Sequence, residues 1–194
     1  WTNCDIDGVT ADGNQTYSAD QAGDLNVTGA AGTLFISEYV EGGGQNKAVE
    51  LYNASGVDID LGAQGCEIWN YNSDADNHSS AHTATALTGT IAADGVYLAC
   101  NDQAPFADNC QLRHSNLAWN GDDVVELRCG DASVDFVGQK GHGKDNFAKD
   151  VTLRRKCAII AGNTDGEAAF DPTVEWDSSP SDTVDGLGSH TVCN

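Results

Sequence analysis

Residues 34–53 read LFISEYVEGGGQNKAVELYN, and the fold follows from how this stretch divides. Two runs rich in aliphatic and aromatic side chains, Leu34–Val40 and Lys47–Tyr52, flank the triplet Gly42-Gly43-Gly44. Such a triplet sits poorly inside a helix or strand, because glycine loses the most backbone freedom on ordering. The pattern is that of two strands and a connector. In the second run Val49 and Leu51 fall on one side, while Ala48, Glu50 and Tyr52 fall on the other. This alternation of period two predicts a strand with one apolar face turned to a core.

The flanking sequence carries the same signature. Val57, Ile59 and Leu61 alternate with Asp58 and Asp60, and Cys66–Asn72 places Glu67, Trp69 and Tyr71 on one side. Thr83–Ile91 and Val96–Cys100 read as two strands around the turn Ala92-Ala93-Asp94-Gly95. Trp119–Arg128 and Ser133–Val137 predict a hairpin closed by Cys129-Gly130-Asp131, and Val151–Lys156 predicts one more strand. The tail, Phe170–His190, has no long periodic element and predicts a surface wrap anchored by Phe170 and Trp176. Nothing supports a helix longer than about two turns. The expected class is therefore all-β, a sandwich stapled by disulfides. Residues 1–32, poor in large apolar groups, read as an irregular N-terminal extension, and residues 33–194 as the sandwich domain.

Thirty acidic against nine basic residues give a formal charge of −21 over 194 residues. Such a charge opposes general attraction to phosphate backbones and suits a protein kept soluble in salty water. Residues 1–112 hold one basic side chain, Lys47, against sixteen acidic ones. Six of the remaining eight cations, Lys140, Lys144, Lys149, Arg154, Arg155 and Lys156, cluster between 140 and 156. Pairing with acidic neighbours inside the fold is the plainer reading of this cluster; contact with an acidic partner is the sharper one. No run of about 18 apolar residues is present to span a bilayer. The absence of methionine, with Trp1 first, suggests a mature chain from which a leader has been removed.

Seven cysteines, Cys4, Cys66, Cys100, Cys110, Cys129, Cys157 and Cys193, are dispersed with no CxxC. They read as disulfides formed in an oxidising, extracellular compartment, and hence as a secreted protein. Cys100 and Cys110 suit a local loop closure; the other pairings stay open. The odd count leaves one thiol over, with Cys4 or Cys193 the natural suspects.

Other chemistry-bearing residues are sparse. Asp5, Asp7 and Asp12 are close enough in sequence to share a calcium ion. The twelfth position of that loop is Thr16 where a bidentate Glu is needed, so a solvated turn is the stronger reading. No cofactor is required, and calcium is the one this pattern allows. His78 and His82 have i, i+4 spacing, but their segment lacks helical periodicity. Asp122 and Asp123 are adjacent and read as a turn rather than a catalytic pair. No HExxH and no nucleophile elbow occurs, so no catalytic residue is assigned and the chain is not expected to be an enzyme.

Several segments together resemble the lamin-tail domain as it occurs in secreted bacterial proteins: residues 34–53, WNGDDVVELR at 119–128, VDFVGQ at 134–139, TLRRK at 152–156, and AFDPTVEWD with DTVDGLGSH within 169–190. The resemblance implies an immunoglobulin-like β-sandwich. It extends to the N-terminal part of large secreted nucleases of marine bacteria, where such a domain precedes an oligonucleotide-binding barrel and a metal-dependent nuclease domain. The nuclease Asp, Asn and His motifs have no counterpart here, and His190 belongs to the GSH that ends the lamin-tail pattern. Two functions are therefore expected. The first is a non-catalytic extracellular module that adheres to a cell-surface partner or assembles with copies of itself into filaments, with residues 1–32 donating a strand. The second is an accessory domain of a secreted nuclease that steers nucleic acid with the basic cluster. Glu38 and Glu50 read as strand-face carboxylates partnered by Arg154 or Arg155 across the sandwich.

Overall fold

The computed structural model describes residues 33–73, 77–81 and 83–193. The described strands are β1 (Leu34–Glu41), β2 (Lys47–Asn53), β3 (Ile59–Asp60), β4 (Cys66–Tyr71), β5 (Thr83–Ala86), β6 (Thr90–Ile91), β7 (Val96–Cys100), β8 (Leu112–Arg113), β9 (Val124–Cys129), β10 (Ala132–Val137), β11 (Val151–Arg155) and β12 (Trp176–Pro180). The described helical elements include a 3₁₀ turn at Ala107–Asn109 and a single turn, α1 (Pro172–Glu175), whose Asp171 caps the Thr173 N–H. One sheet has the order β12-β11-β1-β2-β7-β8 and the facing one β10-β9-β4-β5, with β3-β6 as a small accessory pair. The chain is thus an immunoglobulin-like sandwich, as its strand pattern and resemblance predict.

The core forms where the inner faces meet. Leu34, Ile36, Val49 and Leu51 of the larger sheet pack against Ile68, Val125, Leu127 and Val137 of the smaller. Trp119 closes one end, stacked on Tyr39 at 5.5 Å and donating its indole N–H to the Val40 carbonyl at 3.0 Å. Both rings are fully buried. A buried indole requires such an acceptor.

A bulge in β1 reorders the side chains. Ile36 pairs with Leu51 and Glu38 with Glu50, so Ser37 is the extra residue. Tyr39 then returns to the core while Glu38 turns outward, and the Ser37 hydroxyl donates to Glu50 Oε1 at 2.7 Å. The Ile36 N–H donates to Asp135 Oδ2 at 2.8 Å, and its carbonyl accepts from Arg155 Nε at 3.1 Å. Asp135 reaches inward through a second bulge, between Ser133 and Asp135 of β10. Arg155 and Asp135 pair across the two sheets, and Trp176 lies 3.9 Å beneath the guanidinium.

Three expectations need correction. Thr83–Ile91 is two strands rather than one, because Leu87 turns into the core and Gly89 takes a left-handed φ of 92°. The turn read at Asp122 and Asp123 is present, but the strand expected over Trp119–Arg128 begins only at Val124. Finally, β1 and β2 are buried on both faces, not one. The tail supplies the second cover. After β12 it crosses the outer face of the larger sheet as a strap, with Val184 and Leu187 packed on Val40, Ala48 and Leu98.

Candidate functional site

The outer face of the larger sheet gathers the most unusual polar groups. Glu38 of β1 and Glu50 of β2 are register partners, each almost wholly buried beneath the strap. Arg154, opposite Glu38 on β11, donates to Glu38 Oε2 at 3.1 Å and also pairs with Asp185 of the strap. Glu50 Oε2 accepts the Gly188 N–H at 2.6 Å. Asp182 accepts the Gly43 N–H at 2.9 Å and a hydrogen bond from Asn46, which fixes the triglycine connector to the strap. Ser37, both glutamates, Arg154 and His190 contribute to the walls of an open cleft of ≈ 310 Å³.

Burial pushes Glu38 up to about 7, with Arg154 opposing and Glu50 adding to the shift. Burial also raises Glu50, against the hydrogen bonds from Ser37 and Gly188. His190 stands between Phe35 and Tyr52, 5.7 and 4.9 Å away, and burial lowers its pKa. The expected Glu38 to Arg154 contact is present, but within one sheet rather than across the sandwich. Arg155 turns inward instead, because adjacent strand residues face opposite sides, and it pairs with Asp135 and Glu175.

The basic cluster is dispersed among such partners. Lys156 donates to the carbonyls of Thr173 and Val174, and Lys140 lies 4.4 Å over the Tyr71 ring. Lys144 and Lys149 are exposed in the loop before β11. His78 is buried and contacts the Asp122 carbonyl at 2.8 Å; His82 lies outside the described residues. Asp122 accepts from the Ser73 hydroxyl, and Asp123 from the Ser73 and Asn120 N–H groups, which is a turn network. Burial raises the Asp123 pKa.

Six cysteines are paired, Cys66 with Cys129, Cys100 with Cys110 and Cys157 with Cys193. Cys193 is therefore not the leftover thiol: its N–H bonds the Cys157 carbonyl, which brings the tail end beside the exit of β11. Cys66–Cys129 joins register partners of neighbouring strands, not the two sheets. Cys4 and the calcium candidates Asp5, Asp7 and Asp12 lie outside the described residues. Among the described residues no group of three His, Cys, Asp or Glu side chains is arranged to hold a metal ion.

Sheet edges form the second candidate surface. The β10 edge is covered by the segment after β11: Asn163 N–H donates to Asp135, Lys140 N–H to the Gly166 carbonyl, and Gly162 abuts the Val134 carbonyl. The β12 edge carries an exposed Asp177 and ends in Pro180, and β8 is two residues long. The β5 edge, TATA, has neither charge nor proline. Leu87 N–H bonds the Cys66 carbonyl, so Thr85 and Thr83 continue that ladder and the backbone groups of Ala84 and Ala86 point away from it. Both alanines are exposed, and among the described residues the Ala84 carbonyl accepts from the Asn116 side chain at 3.4 Å. This edge could not be singled out from the sequence, since it depends on which strands end the sheets.

The two facing sheets with their shared apolar core define an immunoglobulin-like β-sandwich module. The family model of the lamin tail domain matches residues 28–141, more than half of the chain, and the chain belongs to that family. No curated protein and no solved structure matches it.

Proposed function

We propose that the chain is a non-catalytic extracellular binding module that assembles with other copies of itself by strand addition at the β5 edge. The observation that carries this reading is the contrast between edges. Proteins blunt exposed edges with charge, proline, shortness or a covering loop. Here β12, β8 and β10 each have one of these devices, whereas β5 carries neither charge nor proline and, among the described residues, meets Asn116 at its Thr83 and Ala84 end. The small side chains of Ala84 and Ala86 also leave room for an incoming strand beside Trp69, the register partner of Ala84. Residues 1–32 are the segment named as donor, and their joining to a neighbour builds an open chain of subunits rather than a closed ring. Three disulfides support an oxidising location, and no described helix is long and apolar enough to cross a membrane.

Replacing Ala86 by Pro removes an outward N–H without touching the β4 ladder, and Ala84→Lys places a charge on the same edge. Sedimentation velocity and electron microscopy of the oxidised protein should show concentration-dependent association that either variant, or deletion of residues 1–32, abolishes. Monomers alone at every concentration, or variants that associate like the parent chain, sink the proposal.

A further inference from the structure

The groups under the strap do not balance. Glu38, Glu50 and Asp185 bring three carboxyls to one guanidinium, that of Arg154. The neighbouring Arg155 is occupied on the inner side by Asp135 and Glu175. Both Glu50 oxygens have donors, the Ser37 hydroxyl and the Gly188 N–H. Glu38 Oε2 has Arg154, but Glu38 Oε1 is buried with no hydrogen-bond partner. A buried ionised oxygen without a donor is unfavourable, whereas protonation removes its charge and makes it a donor.

We propose that residues 181–190 form a proton-controlled cover, held against the sheet while Glu38 carries a proton and loosened when Glu38 ionises. The strap itself is built for close approach: a Cβ on Gly186 would run into Arg154 and Glu38, and Gly188 takes a φ of 103°. Beside the apolar packing of Val184 and Leu187, its polar contacts to the sheet are few: Thr183 O accepts from Thr152 at 2.7 Å, Asp182 and Asp185 bind the connector and Arg154, and Gly188 binds Glu50. Of these anchors, Asp185 is the carboxylate that a newly ionised Glu38 repels. The charged groups acting on Glu38 are Arg154 from β11, Glu50 from β2 and Asp185 from the strap; Asp177 of β12 and His190 line the same cleft, and Arg155 contributes to its wall while its guanidinium is held by Asp135 and Glu175.

Because burial raises Glu38 from 4.5 to about 7, the folded state holds this proton where the unfolded state does not. Strap stability from this group is fully present below the unfolded value and is lost as pH rises through about 7. Burial, with Arg155 nearby, lowers the His190 pKa and so favours its neutral form in the fold. Loosening would uncover the apolar patch of Val40, Ala48 and Leu98, while the Cys157–Cys193 disulfide keeps the segment tethered as a loop. This inference is independent of strand addition at β5.

Hydrogen exchange by NMR tests it. The protection factor of the Gly188 amide, corrected for intrinsic rate and referenced to the β1 amides, should fall about tenfold between pH 6 and pH 8.5. In Glu38→Gln it should stay high and flat. Equal protection at both pH values in the parent chain overturns the proposal, as does the same fall in the variant. A ¹³C titration of the Glu38 carboxyl in the parent chain is the second readout, independent of how the variant folds. A midpoint near 7 that coincides with the loss of protection is expected, and one near the ordinary 4.5 refutes the mechanism.

Discussion

Arg155 and Asp135 show how two irregular residues connect the sheets. The bulge at Ser37 frees the Ile36 N–H and carbonyl from the β1 ladder, and the buried pair supplies a partner to each. Asp135 also accepts the Phe136 and Asn163 N–H groups at 2.9 and 2.8 Å, so its charge is fully hydrogen-bonded. Removing one member of such a pair leaves the other buried and uncompensated. Asp135→Ala is expected to destabilise the fold by about 3–5 kcal/mol in chemical denaturation, whereas the exposed pair Arg113 with Asp108 should contribute under about 1 kcal/mol. At Gly188 the left-handed φ of 103° makes Gly188→Ala strained by about 1–3 kcal/mol, read as local loss of Glu50 contact. None of these roles was visible in the sequence. Asp135 lies in an ordinary-looking SVDFV strand, and only the bulge, a tertiary feature, turns its side chain inward. The Glu38 to Arg154 contact was legible because both lie on strands with clear alternation. The assignment of Arg155 was not, because alternation sets it opposite Arg154 but only the fold decides which of the two faces the core.

At the level of elements, period-two alternation identified β1, β2, β4, β7 and β11 with bounds close to those observed. It missed β12, whose WDSSP has no apolar alternation and becomes a strand through pairing with β11 from Val151↔Pro180 to Arg155↔Trp176. Its anchor was readable all the same: Trp176 is buried against Arg155, and Phe170 packs on Phe147 at 5.3 Å. The disulfides obey the same division. Cys100–Cys110 is a local closure that spacing suggests, whereas Cys157–Cys193 spans 36 residues and depends on where the tail ends. That bond encloses α1, β12 and the strap. Cys157→Ser with Cys193→Ser is expected to lower stability by about 3–4 kcal/mol on the loop-closure account, with the loss seen in thermal unfolding under oxidising conditions. The strap should lose protection before β1 and β2 do, since its apolar anchors are only Val184 and Leu187.

For the whole molecule, the charge of −21 sets the conditions under which copies can meet. Like-charged subunits repel at low ionic strength, and at 0.15 M salt the screening length is about 8 Å. Association should therefore strengthen from low to moderate salt, which light scattering can follow; weakening with added salt would point to an oppositely charged partner instead. The neutrality of β5 fits this picture, because the approach there sets no carboxylate directly against another. The sharpest measurement is residue-resolved hydrogen exchange of the Ala84 and Ala86 amides as protein concentration rises. Strand addition at β5 predicts that both amides exchange freely at low concentration and become protected together as association proceeds. Association that leaves these two amides exposed, while others become protected, would contradict the account.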